Sequence, residues 1–216
     1  MRRGAGALSL AVVALVAGCG DGGDGAASSA KGDVACDASA PAAAKEQQYD
    51  AAPPAAQKRA YTAVLTTSCG VITLTLAGDK APKTVGSFVF LGGKGYFDGT
   101  FCHRMTKTDG LTVLQCGDPT GSGGGGPGYR FDDENLDGAA YPRGTVAMAN
   151  AGPGTNGSQF FLVIKDSQLP PSYTPFGTID EAGLKVLDTI LDGGIADGAS
   201  DGAPTKKVYL EKVTVS

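Results

Sequence analysis

The stretch GTVAMANAGPGTNGSQFFLVI, Gly144 to Ile164, is the part of the chain that the rest serves. Its ends, Thr145 to Ala149 and Phe160 to Ile164, are apolar runs of strand length. Its middle gathers Asn150, Gly152, Pro153, Gly154, Asn156, Gly157 and Ser158. The pattern predicts strand, ordered loop, strand. A merely flexible connection does not need this concentration of glycine, proline and asparagine between Asn150 and Gln159. The composition suits backbone groups and amides held at a surface to meet a ligand.

On the C-terminal side, Pro175 to Ile179 reads as a short strand. Leu184, Leu187 and Ile190 mark a helix that stops at Gly193-Gly194, and Val208 to Val215 is a closing strand. On the N-terminal side, Phe101 to Met105 and Leu111 to Cys116 read as strands. A helix is predicted from Pro82, with Val85, Phe88 and Val89 at helical spacing and Gly92-Gly93 as its end. Tyr61 to Leu76 alternates around a Ser68-Cys69-Gly70 turn, a hairpin with Ile72, Leu74 and Leu76 on one side. Gly117 to Gly128 is almost all glycine but lacks the Gly-Lys-Ser/Thr ending and the following helix of a phosphate-binding loop. It reads as a surface loop of close approach. Many short strands and two helices point to an antiparallel barrel or sandwich, because an open sheet leaves edges to manage.

At 216 residues with 42% hydrophobic side chains, the chain can bury the core of one ordinary domain. A formal charge of −4 without a basic stripe argues against nucleic acid, whose phosphates call for clustered Lys and Arg. Arg2 and Arg3 precede an apolar run, Ala5 to Ala17, that is too short to span a bilayer and suits a secretory signal. The run ends at Val16-Ala17-Gly18-Cys19, which resembles the bacterial lipobox. Residues 1–18 are therefore expected to be a lipoprotein signal peptide, with Cys19 lipidated. Residues 19–59, rich in Ala, Gly and Pro with Tyr49 as the single aromatic, are expected to form a flexible tether. The folded domain is expected over 60–216, exported and anchored as a monomer at the outer face of the bacterial cell membrane.

One histidine, His103, excludes most catalytic arrangements, including a zinc cluster. It sits in an apolar strand with no G-x-S-x-G elbow elsewhere, so it reads as a satisfied core histidine. Its neighbour Arg104 then faces the opposite side, where the loops gather.

MANAGPGTNGSQFF, together with Phe101-Cys102-His103-Arg104 and Leu114-Gln115-Cys116-Gly117-Asp118, resembles the signature motifs of the cyclophilins, the peptidyl-prolyl cis-trans isomerases. The resemblance covers Tyr61 to Ser216. It implies a mainly β fold, a closed eight-stranded antiparallel barrel capped by two helices, and an isomerase of X-Pro bonds that takes proline-containing polypeptides and needs no metal or cofactor. By the same resemblance Arg104 is the catalytic donor, and Gln115 and the Asn150 backbone hold the carbonyls on either side. Ala149, Ala151 and Gln159 line the groove, and Val113, Phe161 and Leu169 form the apolar seat of the proline ring. Thr112 stands where a large aromatic is expected, Gln168 where many members have a tryptophan, and Tyr173 where many have a histidine. A longer loop, Thr106 to Leu111, separates the two strand motifs. These departures leave a second reading, a catalytically weak module that binds proline segments as a chaperone or scaffold.

With Cys19 assigned to lipid, Cys36, Cys69, Cys102 and Cys116 remain and allow three pairings. Cys102 with Cys116 is the pairing expected, since their strands flank one short loop and Arg104 lies near Gln115. A bulge is required, because the two cysteines would face opposite sides of a regular hairpin.

Overall fold

The structure, a computed structural model, describes Cys36 and residues 47–216. Its contacts divide the chain into Met1–Gly32 and Asp33–Ser216, and only the second unit contains described residues. The expected signal peptide, Cys19 and most of the expected tether lie outside them.

Strands β1 (Ala60–Thr67) and β2 (Gly70–Ala77) form the N-terminal hairpin, paired in register from Ala60 opposite Ala77 to Thr67 opposite Gly70. The Thr67 hydroxyl closes the turn, donating to the Gly70 carbonyl at 2.6 Å and accepting the Cys69 N–H at 3.1 Å. Helix α1 (Pro82–Gly93) opens on proline, which lacks the N–H that a first turn leaves unpaired. Ala81 gives it no side-chain cap. A distant carboxylate does that work, because Glu134 accepts from the Lys83 N–H at 3.0 Å and the Thr84 N–H at 2.8 Å. Helix α2 (Glu181–Asp192) is capped locally by Asp180, which accepts from the Gly183 N–H at 2.7 Å.

The remaining strands are β3 (Thr100–Phe101), β4 (Arg104–Lys107), β5 (Thr112–Cys116), β6 (Thr145–Met148), β7 (Phe160–Lys165), β8 (Pro175–Ile179), β9 (Asp201–Gly202) and β10 (Tyr209–Val215). All ten join one sheet in the order β3-β10-β1-β2-β8-β6-β7-β5-β4-β9. The fold is mainly β with two α-helices among the described residues, but the sheet is open and ten-stranded where a closed eight-stranded barrel was expected. The cause lies at Cys102 and His103. They interrupt the strand expected over Phe101 to Met105, so that β3 pairs with β10 while β4 pairs with β5. The hydrogen-bonded order consequently has two ends, and β9 adds a short strand beyond β4.

The interruption also satisfies the cysteines. Cys102 leaves the ladder and forms a disulfide with Cys116, and a second disulfide joins Cys36 to Cys69. The main core gathers side chains from the sheet and from both helices. Phe88 of α1 reaches into it against Phe97, Phe160 and Phe176, with ring centroids 5.0, 5.4 and 5.6 Å away. Helix α2 buries Leu184, Leu187, Ile190 and Leu191.

Residues 47–59, counted above with the tether, pack onto the domain. The Tyr49 ring meets Phe90 edge-on at 4.8 Å, and the Ala56 N–H donates to the Pro82 carbonyl at 2.8 Å. One aromatic ring and a few backbone hydrogen bonds hold a segment whose composition reads as flexible.

Candidate active site

Strand register places the key side chains in one row. Arg104 lies opposite Gln115, Gln115 opposite Phe161, and Phe161 opposite Ala147, across β4, β5, β7 and β6. Directly opposed residues share a face of the sheet. That face carries its own apolar cluster, separate from the main core: Val113, Tyr141, Ala147, Phe161 and Val163, with Ala149, Leu169 and Tyr173 packed against them. Val113, Phe161 and Leu169, expected to seat a proline ring, therefore come together beside Ala149 and Tyr173. Tyr141 was not anticipated. Its ring lies 6.3 Å from both Phe161 and Tyr173, and its hydroxyl donates to the Tyr173 carbonyl at 2.8 Å and accepts the Tyr173 N–H at 3.0 Å. It stands in an irregular segment, where no periodicity points to it.

Next to this apolar seat runs a chain of polar contacts. Arg104 Nη1 donates to Gln115 Oε1 at 3.2 Å, and Gln115 Nε2 donates to Gln159 Oε1 at 2.8 Å. Gln159 Nε2 in turn donates to the carbonyls of Gly123 at 3.0 Å and Gly125 at 2.9 Å, so the glycine-rich loop is fastened to the site. On its other edge the Arg104 guanidinium meets Asp201, through Nε at 2.7 Å and Nη2 at 2.5 Å. This two-point contact raises the Arg104 pKa and holds the Asp201 carboxyl below the usual carboxylate range. Sequence reasoning missed Asp201. It is placed by β9, whose pairing sets Asp201 opposite Thr106, and nothing in the run Ala199 to Ala203 signals that role.

The loop after β6 is held rigidly. Asn150 Nδ2 donates to the Ser172 carbonyl at 2.8 Å, Gly154 N–H donates to Asp133 Oδ2 at 2.9 Å, and the buried Asn156 donates to Asp133 Oδ1 at 2.8 Å. The Asn150 backbone N–H and carbonyl enter no hydrogen bond among the described residues, which leaves them available to an extended peptide. Ala149, Asn150, Ala151, Gln115 and Gln159 line a groove of about 760 Å³, bounded on the far side by the glycine-rich loop. That loop cradles its own carboxylate. Asp118, fully buried, accepts from the N–H groups of Thr120, Gly123 and Gly125 at 2.7, 2.6 and 3.2 Å. Burial alone would raise its pKa, but these bonds and the Thr120 hydroxyl outweigh burial and lower it.

Three further positions singled out in the sequence are placed as follows. Thr112 is buried off the groove, its N–H donating to Ser167 Oγ at 3.1 Å, and it lines a neighbouring cleft with Arg143 and Lys165. In the unshifted β4–β5 ladder Thr112 alternates with Val113, so it does not continue the row of Val113 and Gln115. Gln168 is exposed, its N–H tied to the Gly110 carbonyl at 2.7 Å. His103 is half-buried with Nδ1 unpartnered, where a satisfied core histidine was expected. The break between β3 and β4 takes it out of the ladder, and burial lowers its pKa, with Asp118 opposing and Arg104 adding to the effect.

Residues 62–215 match the family described as cyclophilin type peptidyl-prolyl cis-trans isomerase/CLD, and the chain belongs to that family. It is 50% identical over 161 residues to the probable peptidyl-prolyl cis-trans isomerase B of Mycobacterium tuberculosis, covering 69% of this chain and 52% of that protein. The corresponding Mycobacterium leprae protein is 51% identical over 164 residues, with coverage of 70% and 56%. The chain thus spans about half the length of these relatives. Among solved structures, a cyclophilin type peptidyl-prolyl cis-trans isomerase from Cryptosporidium parvum superposes with TM-score 0.64 at 28% identity, covering 73% of this chain and 98% of that one. Its structure in the presence of the dipeptide ala-pro gives TM-score 0.63 at 30% identity, with coverage of 72% and 98%.

Proposed function

We propose that the protein is a peptidyl-prolyl cis-trans isomerase that rotates X-Pro bonds of exported polypeptides from a lipid tether at Cys19. The observation that carries the reading is the Arg104 guanidinium, gripped by Asp201 and Gln115, on the sheet face that holds Val113, Phe161 and Leu169. The rotation barrier, about 20 kcal/mol, comes from partial double-bond character between carbonyl carbon and nitrogen. As the amide twists, the lone pair localises on the proline nitrogen. A guanidinium N–H donating to it stabilises the twisted state and not the planar one, and no bond has to be broken. Lowering the barrier by about 7 kcal/mol accelerates the step roughly 10⁵-fold. The apolar seat holds the ring while Gln115 and the Asn150 backbone restrain the flanking carbonyls. The ala-pro dipeptide used with the related Cryptosporidium parvum protein supports a proline peptide as ligand.

Export is supported by Arg2, Arg3 and the apolar run ending at Cys19, and by two disulfides, which an oxidising compartment permits. The test is a prolyl-isomerisation assay. The wild type is expected to be active, and Arg104→Ala to lose at least about tenfold in kcat/KM with an unchanged fold. Activity unaffected by that substitution would remove Arg104 from the mechanism, and a wild type without activity would favour a binding module. In the native host the activity is expected in the membrane fraction, moving to the soluble fraction in Cys19→Ser; a membrane-bound variant would exclude the lipid anchor.

A further inference from the structure

The segment Gln47 to Arg59 lies outside the family match, yet the domain makes room for it at three glycines. A Cβ on Gly86 of α1 would stand 2.5 Å from the Pro54 carbonyl oxygen, and one on Gly78 would stand 2.5 Å from that of Arg59. At Gly128, which has φ +93°, a Cβ would lie 2.7 Å from the Tyr49 carbonyl oxygen. All three are closer than any side chain tolerates, so the crossing of this arm is built into the fold. Beside Gly128 the arm bonds to the glycine-rich loop. Tyr49 N–H donates to the Pro127 carbonyl at 2.8 Å, and Gln48 Nε2 donates to the Gly126 carbonyl at 3.0 Å. Gln48 thereby lines the same groove as Gln115, Asn150 and Gln159, and its Oε1 has no partner among the described residues.

We propose that Gln48 is a specificity-determining residue of the peptide groove, whose Oε1 accepts a hydrogen bond from a donor side chain flanking the substrate's proline. The inference rests on the isomerase reading and adds to it a wall that comes from outside the family's domain. The glycine-rich loop to which Gln48 is bonded brings backbone groups, Thr120 and Ser122 to the same lining, so this part of the groove suits a polar flank. An amide oxygen at the rim favours serine or lysine over alanine, and it repels a carboxylate. Further back along the chain the Cys36–Cys69 disulfide ties the arm to the β1–β2 turn.

The test uses the full chain with both disulfides formed, and proline peptides carrying Ala, Ser, Lys or Glu on either side of the proline. Gln48→Ala is expected to lower kcat/KM about three- to tenfold for the Ser or Lys peptides and less than about twofold for the Ala peptides. Gln48→Glu is expected to shift the ratio of Lys to Glu peptides about tenfold toward Lys. Equal effects across the peptides, or none in either variant, overturn the proposal. If the wild type isomerises none of them, the isomerase reading falls, and Kd values from calorimetry decide the subsite separately. A loss in Gln48→Ala confined to Ser and Lys peptides supports it, while a uniform Kd or no binding overturns it.

Discussion

In the proposed mechanism Asp201 determines how Arg104 acts, because it holds the guanidinium at two points. An arginine side chain carries about 2 kcal/mol of rotamer entropy, and a donor that must meet a twisting amide works best when that entropy is already lost. The pair is roughly half exposed, 42% and 45% for the two side chains, so its effect on stability is small and its value lies in placement. Asp201→Asn keeps the shape but removes the charge and one acceptor. It is expected to lower kcat about three- to tenfold with little change in KM, because the proline seat and the carbonyl contacts remain. The wild-type kcat should persist into acid until the pH falls through the lowered Asp201 pKa; a variant raised in KM alone would make Asp201 a binding contact instead. His103, the chain's one histidine, gives a second prediction. Burial holds its folded pKa below the ordinary 6.5, so between that lowered value and 6.5 the unfolded chain binds more protons. Its contribution to stability is complete above pH 6.5 and is lost as pH falls through the folded pKa. Unfolding midpoints across this window should decline in the wild type and flatten in His103→Asn. An NMR titration midpoint of the imidazole at or above 6.5 would contradict the sign.

At the scale of elements, the break between β3 and β4 does two things at once. It lets Cys102 reach Cys116, and it leaves Arg104 to begin a new strand directly opposite Gln115. The disulfide therefore ties the residue just before β4 to the end of β5, beside Arg104 and Gln115. Its loop spans 14 residues, for which chain entropy predicts about 3 kcal/mol of stabilisation. Replacing both cysteines by alanine is expected to lower the Tm by about 6–12 °C and to reduce kcat/KM as β4 loosens from β5. Calorimetry and the isomerase assay on one preparation separate the two effects. A Tm loss with full activity would make the disulfide a staple only.

At the largest scale, the packed unit extends beyond the span matched by the family. The arm crosses α1, touches the glycine-rich loop and is joined to the β1–β2 turn through Cys36 and Cys69. Closing 33 residues of chain contributes about 4 kcal/mol in the same entropy picture. A chain beginning at Asp33 is accordingly expected to melt about 10 °C above one beginning at Ala60, which also leaves Cys69 unpaired and α1 uncovered. Equal melting temperatures would mean that the arm adds nothing to the domain.

Local features were legible in the sequence because their causes are local. Pro82 and Gly92-Gly93 bound α1, alternation through Ile72, Leu74 and Leu76 marks β2, and the Ser68-Cys69 turn leaves no other course for the hairpin. The row from Arg104 to Gln115 to Phe161 follows from motifs that already imply which strands lie side by side. Thr112 shows the limit of that reasoning, because neighbouring residues of a strand alternate between its faces and Thr112 goes with Leu114, not with Val113 and Gln115. Only tertiary structure brought Asp201 to Arg104 across 97 residues, Tyr141 to Tyr173, and Gln48 to Gly126 across 78. Periodicity and turn chemistry record what a residue's near neighbours require of it. A contact between distant segments depends on where the sheet carries them, and it leaves no local pattern to read.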